Sequence, residues 1–446
     1  MRITRIKVKN LFGIFNHDIL MRMNERITIV HGPNGFGKTV ILKMLNSLFN
    51  EKYQDFYSIP FSELSIAFDD DSTLVIKKNE GKTGELPELT ITLSPPSGNK
   101  KTLKLQPLSR GDLGFPLGII EHEIPELERI GQSMWLHTRT REHLGLNDVI
   151  YRYADHLPIP DNKRNINRKL LRELRKSVHI RLIETQRLLT FVSARHPRDY
   201  EEKSSMIPSV MRYSEELTQA IQSKLAEYAT LSQSLDRTFP TRLVKGGGKH
   251  DLTLINLRAR LSELEEKRSR LMAAGLLDKE GEIDFKDLQR IDEKNRNVLS
   301  VYVDDVQNKL SVFDELTNKI DLLVKIINNR FLYKQISISK KDGFIFTTFD
   351  NKILPPSSLS SGEQHELVLL YDLLFKVQPN SLILIDEPEL SLHVAWQQQF
   401  IKDLQEITSL GGFDVLIATH SPQIIHDRWD LTVELEGPKD ADTPNS

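Results

Sequence analysis

The sequence predicts an α/β fold, mixed sheets flanked by helices, with a short antiparallel coiled coil inserted midway. Three observations carry that prediction. A glycine-rich turn, Gly32-Pro33-Asn34-Gly35-Phe36-Gly37-Lys38-Thr39, stands between an alternating run at 26–31 and an apolar helical pattern at 40–49. The aliphatic run Leu382 to Ile385 ends in Asp386 and Glu387, as a buried strand does at the carboxyl edge of a parallel sheet. Between the two, residues 196–330 carry apolar side chains at three- and four-residue steps.

The glycine-rich turn has the strand-before, helix-after setting of a phosphate-binding loop. Gly32, Gly35 and Gly37 allow backbone N–H groups to turn inward on phosphates, and the following helix offers its positive end. Lys38 is placed to reach the β/γ-phosphates of a nucleoside triphosphate and Thr39 to ligate Mg2+. Pro33, Asn34 and Phe36 complete the loop. The sequence thus points to ATP and Mg2+ as ligands.

The rest of the first lobe, 1–195, reads as hairpins followed by a lid. Leu64-Ile66-Phe68 and Thr73-Val75-Lys77 alternate about the turn at 69–72, and Leu89-Ile91-Leu93 follows a loop at 81–87. A helical lid is expected over about 124–176. Within it Lys163, Arg164, Arg168, Lys169, Arg172, Arg175 and Lys176, with Arg181 beyond, face Asp161 and Glu173 as local counter-charges. Such a cluster serves either as a solvated helix face or as a docking patch for phosphates or an acidic protein.

The insertion, 196–330, opens with a long amphipathic helix through Val210, Leu217, Ile221, Leu225, Tyr228, Leu231 and Leu235, expected to stop at Pro240 and turn at Gly246-Gly247-Gly248. Leu257, Leu261, Leu264 and Leu271 mark a returning helix, and Val306, Leu310, Phe313, Ile320, Leu323 and Ile327 a third run. The arms would span about 50 Å. They serve either as a packing appendage or for dimerisation and partner docking.

The second lobe, 331–437, resumes with strands at Gln335-Ile336-Ser337-Ile338 and Phe344-Ile345-Phe346. Leu359-Ser360-Ser361-Gly362-Glu363-Gln364 then opens a helix through Leu367, Leu370 and Leu374, a second anion-binding helix start. Asp386 is placed for Mg2+, and Glu387 is the general base or water-positioning group for attack on a γ-phosphate. Glu389 reads as a solvated loop carboxylate. A last strand, Asp414 to Thr419, delivers His420 to the same sheet edge. Residues 438–446 form a polar tail, expected to be disordered.

Composition narrows the classes. At 446 residues the chain exceeds one ordinary core, which suits an ATPase body with a second helical part. A net charge of -2 gives no global attraction to nucleic acid. The absence of Cys excludes disulfides and thiolate-bound zinc. No apolar stretch approaches the ~18 residues of a membrane span, and the start lacks a signal-peptide core, so a cytoplasmic protein is expected.

In their order, the P-loop, Ser360-Ser361-Gly362, the Asp386-Glu387 strand and Ala418-Thr419-His420-Ser421-Pro422 resemble the ABC-type ATPases. The insertion between the two half-sites resembles the SMC-related branch. The resemblance implies that Ser360 and Gly362 act in trans on the nucleotide of a second subunit, that His420 contacts the γ-phosphate, and that a strand-end glutamine senses the metal. Gln186 fits that last position, and a plain surface glutamine is the other reading. Ser361 replaces the usual glycine, and Ser391-Leu392-His393 stands where many members carry a loop ending in Asp.

The short coiled coil, Leu359 to Glu366, Ile385 to His393 and Ala418 to Ile425 together resemble a narrower group, the bacterial antiphage ATPases, and within it the ATPase subunits of PARIS (phage anti-restriction-induced) defence systems. That resemblance implies homodimers through ATP sandwiches, a higher homo-oligomer, a separate TOPRIM-type nuclease effector and a phage-encoded trigger protein, with no membrane partner. Few residues follow the last strand, so the nuclease is expected on another chain. Septu-type ATPases working with an HNH nuclease, and SMC- or RecF-like DNA-repair ATPases that contact nucleic acid directly, remain as alternatives.

Overall fold

The computed structural model of the chain describes residues 1–437 apart from 51, 80–86, 106–114, 139, 154–156, 158–177, 184–188, 194–203, 245–252 and 278–295. Two compact units emerge. The first comprises Met1–Arg187, Phe191–Met206 and Lys376–Ser446, and the second Leu188–Thr190 and Ile207–Phe375.

The first unit is built on a five-stranded parallel sheet in the order Ile180–Ile183, Leu382–Asp386, Asp414–Thr419, Ile27–His31, Thr432–Glu434. Sequence-distant strands thus stand side by side, with Asp386 opposite Ala418 and Thr419 opposite His31. The run at 26–31 does not alternate in burial: Ile27 to Val30 are all buried, because a central parallel strand is covered on both faces. The helix Lys38–Phe49 buries Ile41, Leu42, Leu45, Leu48 and Phe49. A six-stranded antiparallel sheet, from Ile3–Leu11 and Phe15–Leu20 through Glu63–Phe68, Thr73–Asn79 and Glu88–Ser94 to Lys101–Leu105, shares that helix's core through Ile6, Leu64 and Ile66. Here the period-2 pattern is obeyed: Leu64, Ile66 and Phe68 point inward. Near the chain start Arg2 clamps Asp414, its Nε and Nη2 donating to the carboxylate at 2.7 and 2.6 Å, while Nη2 also donates to Met23 O at 2.9 Å. That clamp ties the residue just before one sheet's first strand to the start of the strand Asp414–Thr419 in the other.

The lid expected to be helical over 124–176 opens instead with a three-stranded antiparallel sheet, Leu127–Arg129, Met134–His137 and His143–Gly145, before the helix Leu146–Tyr153. The reason lies in period. Trp135 and His137 are buried and Met134 is exposed, and Gly131 and Gly145 bracket runs too short for helical turns. Trp135 centres a small separate core with Leu127, Leu144 and Val149. The basic cluster from Lys163 to Lys176 and Gln186 lie outside the described residues; Arg181 sits on the strand Ile180–Ile183.

In the second unit the helix Ser209–Val244 runs through Pro240 rather than stopping there. Its last turn is held from outside: Arg242 grips Asp305, with Nη2 to Oδ2 at 2.6 Å, and also donates to Leu235 O. Together with Lys309 to Asp236, this pairs the helix antiparallel with Arg296–Ser311. Leu254–Ala273 runs alongside in the same direction as the succession Arg296–Ser311 and Asp314–Arg330, since Arg260 meets Asp304 on the first and Arg270 meets Asp321 on the second. The third run is two helices, Arg296–Ser311 and Asp314–Arg330, broken next to the buried Phe313. The Gly246-Gly247-Gly248 turn lies outside the described residues.

Compactness divides residues 331–437 at Lys376 rather than keeping them as one lobe. Residues up to Phe375 stay with the helices because Arg330 pairs with Glu366 in full burial, Lys334 holds both Glu363 oxygens at 2.7 Å, and Tyr213 stacks on Tyr371 at 4.6 Å. Beyond Lys376 the chain supplies the central strands of the parallel sheet. Among the described residues no helix is long and apolar enough to cross a membrane.

Candidate functional site

The candidate site occupies the carboxyl edge of the parallel sheet, where Ile27–His31, Leu382–Asp386 and Asp414–Thr419 all end. Gly32 through Gly37 loop from the first strand into the helix that begins at Lys38. Gly35 and Gly37 take φ values of 88° and 87°, the left-handed region that a side chain resists. A Cβ on Gly37 would stand 2.4 Å from Leu11 Cδ2. Phe36 anchors the loop: its ring lies 5.0 Å from Phe15, and its carbonyl is 2.8 Å from Nε2 of His17. Burial pushes the His17 imidazole below its ordinary value, so a neutral ring donates from Nε2 to that carbonyl. Asn34 and Gly35 are exposed at the loop's tip.

Lys38 is buried and folds back, its ammonium donating to Gly32 O at 2.7 Å and Pro33 O at 3.0 Å. Thr39 donates its hydroxyl to Asp386 Oδ1 at 3.0 Å. Residues 347 apart in sequence thereby place a hydroxyl and a carboxylate side by side. Burial raises the Asp386 carboxyl above the ordinary aspartate range; the Thr39 hydroxyl opposes the rise, and Glu387 and Glu389 add to it. Such a group favours a cation. Among the described residues no cluster of three or more His, Cys, Asp or Glu is arranged to hold a metal alone. A Thr hydroxyl beside one carboxylate is the donor set Mg2+ takes when substrate phosphates supply further oxygens, so the residues fit that ion.

The Asp386 shift sets a stability expectation. A carboxyl whose folded value lies above its unfolded value costs stability as pH rises from the unfolded value through the folded one. Asp386→Asn is therefore expected to melt higher than the parent at pH 7 without nucleotide, and to lose the extra stabilisation that Mg2+ with ATP gives the parent. Thermal melts with and without Mg-ATP check both; a lower melt in the ligand-free variant would contradict the assignment.

Glu387 follows with φ 43° and ψ 59°, left-handed for a non-glycine residue, and its N–H donates to Ala418 O at 2.8 Å. Strain of this kind persists where surroundings enforce it and is concentrated at functional positions. The turn swings the Glu387 side chain out of the strand to 30% exposure, with Oε1 3.8 Å from His420 Nδ1. Glu389 is not the solvated carboxylate its loop position suggested. Its side chain is buried against the end of the strand Asp414–Thr419, because Thr419 and His420 supply donors there.

Ser360 and Gly362 belong to the second unit. Ser360 N-caps the helix Ser361–Tyr371 in a capping box with Glu363, whose Oε2 accepts the Ser360 N–H and hydroxyl, both at 2.9 Å. Gly362 has open space where a Cβ would stand. Sequence reasoning passed over Phe12, an exposed aromatic in the turn between the first two strands. A Cβ on Gly37 would lie 3.4 Å from its Cε2. The available signal was the unbroken apolar string Leu11-Phe12 and Ile14-Phe15 around Gly13, where a hairpin turn ordinarily carries polar residues.

Comparison with known proteins adds three findings. A family model described as "AAA domain, putative AbiEii toxin, Type IV TA system" matches residues 27–426. The chain is similar to an Escherichia coli protein named "Retron Ec83 probable ATPase", 28% identical over 155 residues, or 30% of this chain and 28% of that protein. The match thus spans little more than a quarter of that relative's length. Among solved structures it is similar to the SMC head domain from Thermotoga maritima, at 11% identity over 97% of this chain and 94% of that one with a TM-score of 0.33. An SMC head bound to the C-winged helix domain of ScpA gives 9% identity, 95% and 91% coverage and a TM-score of 0.34.

Proposed function

The chain belongs to this AAA-domain family, whose model spans most of its length, and from that premise we propose that it binds and hydrolyses ATP as a subunit of a bacterial antiphage defence complex. The single observation that carries the hydrolytic reading is the convergence of Lys38, Thr39, Asp386, Glu387 and His420 on one sheet edge. In this reading Lys38 exchanges its own loop carbonyls for phosphate oxygens, and the N–H groups of the loop cradle the phosphates. Thr39 and Asp386 hold Mg2+, which when bound neutralises phosphate charge. Glu387 orients the attacking water, and His420 approaches the γ-phosphate.

The similarity to a retron ATPase supports the defence class. The finer reading is an AriA-type subunit of a PARIS system, supported by the motif set and the place of the helical insertion. In that reading Ser360 and Gly362 complete the site of a second protomer, dimers build a larger homo-oligomer, and a separate TOPRIM nuclease is held until a phage trigger releases it. Purification of Glu387→Gln with ATP from its native host, followed by mass spectrometry, tests this. A stoichiometric TOPRIM nuclease on a large oligomer supports it. An HNH nuclease moves the chain to the Septu type, and a bare dimer carrying DNA to the repair class.

A further inference from the structure

Glu389 stands two residues beyond the proposed base, yet its environment is the opposite of Glu387's. Its side chain is 8% exposed against 30% for Glu387. Its Oε1 accepts the Thr419 hydroxyl at 2.7 Å and the His420 backbone N–H at 3.2 Å. The same oxygen lies 3.2 Å from His420 Nδ1, nearer than the 3.8 Å of Glu387. The other oxygen, Oε2, is buried without a hydrogen-bond partner among the described residues. A buried carboxylate persists where N–H donors or a cation face it, and the His420 ring lies against this one, while the Asp386 carboxyl also feels its charge. Nor is the turn loose: buried Gln397 donates from Nε2 to Glu389 O and Leu392 O, both at 3.2 Å.

We propose that Glu389 is the positioning residue for His420, holding the Nδ1 edge of its ring so that Nε2 is presented to the γ-phosphate, while Glu387 is left to the water. The inference rests on the hydrolytic reading above. An imidazole half exposed at a strand end can turn about its terminal torsion and offer either nitrogen. A carboxylate is an acceptor only, so beside Nδ1 it favours the ring orientation that turns an Nδ1–H toward it and leaves Nε2 facing outward to the phosphate. The backbone contacts of Glu389 fix the carboxylate in turn. The two carboxylates divide the work: the strained, accessible one faces solvent and substrate, and the buried one faces the histidine.

Steady-state ATP hydrolysis by the full chain tests this with Glu389→Gln, His420→Ala, the double variant and Glu387→Gln. Loss of a carboxylate that orients a histidine is expected to lower kcat about 10- to 100-fold, with KM for ATP little changed. The double variant is expected to be no slower than His420→Ala, because the carboxylate acts only through the ring. The 15N shifts of the His420 ring are expected to change in Glu389→Gln while the melting temperature confirms a folded protein. A parental rate in Glu389→Gln beside a slow His420→Ala overturns the positioning role, as does an additive loss in the double variant. Parental rates in Glu387→Gln and His420→Ala as well overturn the hydrolytic reading with it.

Discussion

Glu387→Gln is expected to retain ATP and to hydrolyse it roughly 10² to 10⁴ times more slowly than the parent. The substitution keeps the side-chain length and the backbone N–H to Ala418 O that fixes the strained turn. It removes only the carboxylate's capacity to accept a proton from, or align, a water. Binding is expected to stay intact because the groups proposed to meet phosphates, Lys38 and the loop N–H groups, come from another strand end. Single-turnover hydrolysis with an equilibrium binding measurement separates the two effects. A parental rate would remove Glu387 from the role of base; weakened binding would place it among the phosphate or metal contacts instead.

Lys38→Ala is expected to abolish productive nucleotide binding. Its ammonium is buried and held by two carbonyls of its own loop, Gly32 and Pro33, at 2.7 and 3.0 Å, so it is already aimed into the cradle. Hydrogen bonds to a charged group contribute about 1.5–3 kcal/mol each, and losing two weakens affinity by about a hundredfold or more. Calorimetric titration with ATP and Mg2+ reads that loss. Because the buried ammonium also ties the loop carbonyls in the ligand-free protein, some fall in melting temperature is expected without nucleotide, so binding is compared under conditions where the variant is folded. A variant that binds normally would mean that the loop amides alone hold the phosphates.

Much of this was determined by local sequence. The glycines at 35 and 37 need left-handed backbone, the aliphatic run at 382–385 needs a buried strand, and the alternation at 64–68 needs a sheet with one covered face. Each follows from the residues within a few positions, so the fold class and the strand-end places of the glycine-rich loop, Asp386 and Glu387 were legible. What local pattern could not give was decided by contacts distant in sequence. Pro240 sits inside a helix because Arg242 grips Asp305; the lid begins as strands because Trp135 finds a core. Glu389 was the clearest failure. A charged residue after a proline turn is solvated in most settings, and only the arrival of Thr419 and His420 on the neighbouring strand turns it inward. Sequence determines which side chains carry the chemistry; the tertiary structure decides which of them lose water to one another, because desolvation and hydrogen-bond partners exist only once distant strands are adjacent.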